Sequence, residues 1–109
     1  MVEKTQQELI TLKGKLQQTI ILKTSVNNDE YYSARLEIIE TEANGQVMEN
    51  ETDSVMLIFW KKNFNEKTQT LISELKENQN VIVQGYFSGR DNGLFRVIEL
   101  IETEEDVFI

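Results

Sequence analysis

The sequence predicts a mainly β domain with one helix. Short runs of alternating apolar and polar residues dominate the chain, and turn-forming residues separate them. Only one stretch, between the third and fourth runs, has apolar residues at helical spacing. The length of 109 residues fits a single domain that folds without a metal or a disulfide.

The first run extends from Leu9 to Leu22 and contains an isolated glycine, Gly14. Such a glycine indicates a bulge or a bend, so we expect one long, bent strand. The preceding residues 1–8 are polar, and we expect them to fray. Residues 25–29 read SVNND, which is typical of a turn.

The second run, Tyr31 to Glu40, alternates with period two and leads to Asn44-Gly45, a strong hairpin signal. The third run, Ser54 to Lys62, is apolar on both faces and is therefore predicted to be a central strand. Its alternation turns Phe59 inward and Trp60 outward.

The helix is predicted over residues 65–78, with Asn65 as its N-cap. Its apolar stripe consists of Thr68, Leu71, Ile72 and Leu75. The fourth run is 81–88, a turn spans 88–93, and the fifth run is 94–102. The expected order is therefore three strands, a helix and two strands.

This order is that of an OB-fold, a five-stranded, partly open Greek-key barrel with a helix between strands three and four. We assign residues 9–102 to the barrel domain and residues 103–109 to a short acidic C-terminal tail.

Composition excludes several classes of protein. The chain has no Cys, His or Pro, which rules out disulfides, zinc sites built on Cys or His, and hydrolases that rely on His. No P-loop or dinucleotide fingerprint is present, so we predict neither an enzyme nor a cofactor. No apolar run reaches the length of a membrane helix and no signal peptide is visible, so we expect a cytoplasmic protein.

The net charge of −8 is unevenly distributed. Residues 37–53 and 99–109 hold eleven of the 19 acidic residues and no basic residue. The remaining sequence has eight acidic and eleven basic residues, so an acidic total does not exclude a nucleic-acid partner.

Three segments resemble the bacterial single-stranded DNA-binding protein (SSB) family. They are LITLKGKL around Gly14, FWKK with the helix ending LISELKENQ, and VIVQGYF. The resemblance covers roughly Leu9 to Ile101. It implies an OB-fold that binds single-stranded DNA without strong sequence preference, forms a homo-oligomer (a dimer or a tetramer), and acts in replication, recombination or repair.

The resemblance also implies residue roles. Trp60 matches an aromatic residue that stacks on a base, Lys61 and Lys62 match the basic residues after it, and Gly85 matches a structural glycine. Two departures stand out. The turn 88–93 is short, with Arg90 its only basic residue, and Ser54 stands near a second stacking aromatic of the family.

Phosphate contacts and base stacking together define the candidate site. We predict one groove lined by Lys13, Lys15, Arg35, Lys61 and Lys62, with further contacts from Lys23, Arg90 and Arg96. Trp60 would stack on a base; Tyr31, Tyr86 and Phe95 either assist it or pack in the core or an interface.

The tail residues Glu104, Glu105, Asp106, Val107, Phe108 and Ile109 either dock on a replication or repair protein, compete with DNA for the groove, or simply pack. The acids Glu49, Glu51 and Asp53 lack the pattern of a calcium loop, so we predict no metal site. Two other functions stay open, an OB-fold accessory subunit without strong DNA binding and a structural domain without a ligand.

Overall fold

In the computed structural model, the described residues are 9–43, 45–49 and 54–104. They form seven strands: β1 (Ile10–Leu16), β2 (Ile21–Thr24), β3 (Glu30–Ala43), β4 (Gln46–Glu49), β5 (Ser54–Trp60), β6 (Asn80–Ser88) and β7 (Leu94–Glu104). One helix, α1 (Glu66–Ser73), follows β5 along the chain. The predicted mainly β domain with one helix is confirmed. The predicted frayed segment 1–8 and the tail residues 105–109 lie outside the described residues.

Five strands close into a barrel around one core. β1 pairs with β3 on one edge and with β6 on the other, and the circuit continues through β7 and β5 back to β3. The β5–β7 pair is parallel, whereas the other pairs are antiparallel. β2 and β4 extend the sheet along the two edges of β3.

The bend predicted at Gly14 is a β-bulge in the β1–β3 ladder. A Cβ atom there would overlap the Glu37 carbonyl oxygen, so only glycine permits this approach of the two backbones. The expectation of a single first strand is wrong, because β1 ends at Leu16 and a separate β2 begins at Ile21.

The hairpin predicted at Asn44-Gly45 joins β3 to β4, a strand absent from the prediction. Ala43 pairs with Gln46, and Gly45 has φ +79°, a backbone conformation that favours glycine, whereas Asn44 lies outside the described residues. The Asn65 side chain accepts a hydrogen bond from the Thr68 backbone N–H at 2.8 Å, as predicted for an N-cap. α1 ends at Ser73, five residues before the predicted end.

The core is the inward face of the barrel strands. It contains buried residues from each of the five barrel strands, including Leu12, Leu16, Leu36, Leu57, Phe59, Val83, Phe95 and Val97. From the helix and the residue after its cap, Ile72 and Leu75 join the same core. Among the described residues, no helix is long and apolar enough to span a membrane.

Candidate nucleic-acid interface

An aromatic pair stands on the outer face of the barrel. Tyr31 of β3 lies directly opposite Trp60 of β5, with ring centroids 4.9 Å apart and ring planes inclined by 51°. Both side chains are half-buried, whereas Phe59 is fully buried. Trp60 therefore points outward, as strand alternation predicts.

The two rings border an open cleft of about 350 Å³. Its other lining residues are Ser25, Ile58, Ser88, Leu94 and Arg96. This volume lies within the roughly 300–1,000 Å³ of small-ligand sites. The combination of flat rings, aliphatic side chains and one guanidinium suits a nucleobase joined to a phosphate.

Arg96 lies in the middle of this face. In the register it stands between Ile58 on β5 and Tyr86 on β6, and its guanidinium carbon lies 5.6 Å from the centre of the Tyr86 ring. Arg96 is half-buried, and no carboxylate of the described residues forms an ion pair with it. The ring orients this positive charge while leaving it available to an anion.

Three further cations surround the cleft. Lys23 on β2 pairs in register with Tyr31. Arg35 follows on the outer face of β3 and donates to the Ser54 hydroxyl at 3.2 Å. Arg90 is exposed in the turn that joins β6 to β7. All three are among the residues predicted to contact phosphate, and that role stays a prediction.

Lys61 and Lys62 are already paired with carboxylates. Lys61 Nζ lies 3.0 Å from Glu30 Oε1, and Lys62 Nζ lies 3.5 Å from Asp29 Oδ2. The hydrogen bond and the charge of Glu30 raise the pKa of Lys61 above its usual 10.5. Lys61 therefore stays charged at neutral pH, and each of the two lysines has a carboxylate beside it.

The structure does not bring Lys13 and Lys15 next to the aromatic pair, and their place in one groove with it stays a prediction. These lysines lie beside the far half of β3, opposite Glu40 and Glu37 respectively. At about 3.3 Å per residue, Glu37 is roughly 20 Å and Glu40 roughly 30 Å along β3 from Tyr31. Lys13 also forms an ion pair with Glu40 at 3.8 Å.

The surroundings of Lys13 and Lys15 are acidic, because the neighbouring outward positions on β3 and β7 carry carboxylates. These are Glu37, Glu40, Glu42, Glu99 and Glu102. The barrel thus has two unlike outer faces. One has the aromatic pair and Arg96, which forms no ion pair with a carboxylate of the described residues, and the other carries an excess of acids.

Phe95 does not stack on a ligand, since it is fully buried and packs edge-on against Phe87 at 5.1 Å. Its neighbour Arg96 faces outward, and strand alternation alone places adjacent residues on opposite faces. Ile58 and Leu94 line the cleft but were not predicted to do so. The outward position of Ile58 followed from the same alternation that placed Trp60.

Two buried polar atoms in this region have no hydrogen-bond partner among the described residues. They are the Trp60 indole nitrogen and the Ser33 hydroxyl, which lies between Ile21 and Ile58 in the register. In the described part of the chain, no group of acids could hold a metal ion. Glu51 and Asp53 lie outside that part.

Solved structures of single-stranded DNA-binding proteins share this fold. A deletion mutant of the protein from Thermus aquaticus aligns with a TM-score of 0.61 at 18% identity, over 92% of this chain and 42% of that one. The small single-stranded DNA-binding protein from Streptomyces coelicolor gives 0.61 at 13%, over 95% of this chain and 96% of that one. The SSB of Plasmodium falciparum, solved in a complex with single-stranded DNA, gives 0.54 at 21%, over 83% and 77%.

This chain has the OB-fold of single-stranded DNA-binding proteins. The resemblance predicted from the sequence is thereby confirmed, and at these identities it establishes the fold. No protein-family model and no curated protein matches the sequence. The chain spans 42% of the length of the Thermus aquaticus protein.

Proposed function

We propose that this protein binds single-stranded DNA, without strong sequence preference, in the cleft between Tyr31, Trp60 and Arg96. A base stacks on the aromatic pair, and the adjoining phosphate contacts Arg96. The partly open Greek-key barrel predicted from the sequence, with its helix between the third and fourth predicted strands, supplies the rigid support.

One observation carries this proposal. The only tryptophan of the chain stands beside a tyrosine on the outer face, and the same cleft contains an arginine without a carboxylate partner among the described residues. Aromatic stacking accepts any base because every base has a π face. A guanidinium without a carboxylate partner gains more binding free energy from a phosphate than a lysine does, when the lysine's ion pair with a carboxylate must first break.

Backbone amide shifts in ¹⁵N-labelled protein test the position of the site. Adding a short dT oligomer should shift the resonances of Tyr31, Ile58, Trp60 and Arg96 most. Thr11, Lys13 and Lys15, on the acidic face, should shift least. Largest shifts on the acidic face, or no shifts at low salt, would refute the proposal.

The wider role follows from the SSB resemblance. We propose that the protein acts as a homo-oligomer in the bacterial cytoplasm, in replication, recombination or repair. Several clefts on one assembly would raise affinity through effective concentration. The acidic tail 104–109 would dock on a partner protein of the same process.

A second candidate function is an accessory subunit that binds a protein instead of DNA. The acidic face around Lys13 favours it, because such a surface suits a basic partner. Native mass measurements with purified replication proteins, set beside a DNA titration, separate the two functions. A complex with a basic protein and no DNA binding at low salt would favour this second function.

A further inference from the structure

Two acidic residues stand next to the proposed DNA site. The antiparallel order that places Tyr31 opposite Trp60 continues in the ion pairs of the neighbouring residues. Glu30 holds Lys61 at 3.0 Å, and Asp29 holds Lys62 at 3.5 Å. Lys61 and Lys62, the two residues after Trp60, thus pair with Glu30 and Asp29, the two residues before Tyr31.

Both sides of these ion pairs are anchored. The Ser25 hydroxyl accepts hydrogen bonds from the backbone N–H groups of Asn27 and Asp29, at 3.3 and 3.2 Å, which fixes the loop that carries Asp29. On the other side, Gln69 of α1 donates to the carbonyl oxygens of Lys61 and Phe64, each at 2.9 Å. Folding therefore places the carboxylates beside the lysines without help from a ligand.

Lys62 is one of the accessible cations around the site, together with the exposed Lys23, Arg35 and Arg90. The Lys62 side chain is 66% exposed and that of Lys61 is 31% exposed, and neither lysine is among the residues that line the cleft with Arg96. A rigid duplex, whose bases are paired and stacked, cannot place a base on Tyr31 and Trp60. Its affinity would depend on protruding cations such as Lys61 and Lys62.

We propose, on the basis of the proposed function, that Asp29 and Glu30 are specificity-determining residues that favour single-stranded over duplex DNA. By occupying Lys61 and Lys62, they weaken the phosphate contacts on which duplex binding depends. A single strand loses the same contacts but keeps base stacking and Arg96. The duplex also has the higher charge density, so nearby carboxylates repel it more strongly.

The test compares the wild-type protein with the Asp29→Asn, Glu30→Gln double variant. Affinities are measured by anisotropy for a labelled dT oligomer and a duplex, at several salt concentrations. We expect duplex affinity at low salt to rise by about tenfold and its salt slope to steepen by about 1.8, two phosphates at about 0.9 each. Affinity for dT should rise by less than about threefold, because stacking and Arg96 are unchanged.

A matched control carries the same change in charge. Glu37→Gln with Glu40→Gln neutralises two carboxylates beside Lys15 and Lys13 on the acidic face, and it should leave the ratio of single-strand to duplex affinity unchanged. A second control adds Lys61→Gln and Lys62→Gln to the Asp29→Asn, Glu30→Gln variant. These changes should abolish the increase in affinity for duplex DNA. Circular dichroism verifies that each variant is folded.

Equal gains for dT and duplex in the double variant would overturn this inference, as would a gain of the same size in the acidic-face control. These outcomes leave the proposed function intact, because the wild type still binds dT. Absence of dT binding by every variant at low salt would instead refute the proposed function, and this inference with it.

Discussion

Tyr31 and Trp60 are cross-strand partners whose ring centroids lie 4.9 Å apart on the outer face of the barrel. The pair exists because β3 and β5 are adjacent and antiparallel, and because alternation turns both rings away from the core. Arg96 reaches the same cleft from β7, on the other side of β5. Three neighbouring strands thus build the site.

Trp60→Ala should weaken binding of a dT oligomer by about 1–3 kcal/mol, because one stacked base loses its aromatic partner. Trp60→Phe should keep most of the affinity, since the ring remains. The Phe variant should also be no less stable than wild type in unfolding by urea, because it removes a buried N–H that has no partner among the described residues. Equal affinity of the Ala variant and wild type would remove Trp60 from the site.

Arg96→Gln should lower both the affinity and its salt dependence. One lost phosphate contact reduces the slope of log affinity against log salt by about 0.7 for a single strand. Fluorescence titrations at four salt concentrations measure this slope. An unchanged slope would mean that Arg96 only packs against Tyr86 and contacts no phosphate.

Lys13→Gln and Lys15→Gln should leave affinity for dT and its salt slope unchanged. Both lysines lie among carboxylates, beside the half of β3 that is far from Tyr31. They serve as charge-matched controls for Arg96→Gln in the same titrations. A loss as large as that of the Arg96 variant would restore the single groove predicted from the sequence.

Gly14→Ala should destabilise the fold, because its Cβ would overlap the Glu37 carbonyl oxygen and lie 2.9 Å from Leu36 Cγ. Overpacking of this kind typically costs about 1–3 kcal/mol. The control is Gly93→Ala, where φ is −76° and the nearest atom is the Arg90 carbonyl oxygen at 3.4 Å. Urea unfolding should show the Gly93 variant to be as stable as wild type. Equal losses of unfolding free energy in the Gly14 and Gly93 variants would argue against the close backbone approach at the bulge.

Much of the fold was predictable from local sequence. Period-two alternation located the five barrel strands, Gly14 marked the bulge, Asn44-Gly45 marked the hairpin and Asn65 marked the start of the helix. Each is a local signal with a local cause. The strands β2 and β4 were less visible, because each spans only four residues and extends the edge of an existing strand.

The site was predictable only in part. The alternation within one strand shows which face a side chain is on, but it does not show which residues of other strands lie beside that side chain. Lys13 and Lys15 do share an outward face, yet only the topology shows that β1 lies beside the acidic half of β3. The pairing of Lys61 with Glu30 likewise depends on the β3–β5 register across 31 residues. For Phe95 the sequence left base stacking and core packing open, and the structure places its side chain in the core.

The most direct test of the account is a titration of the wild-type protein with a dT oligomer of about 30 nucleotides, longer than the roughly 4–16 that one OB-fold covers. Trp60 is the only tryptophan, so its fluorescence reports on the proposed cleft. We predict quenching that saturates together with oligomer anisotropy and weakens steeply as salt rises. Binding without quenching would place the DNA elsewhere, and no binding at low salt by the folded protein would contradict the account.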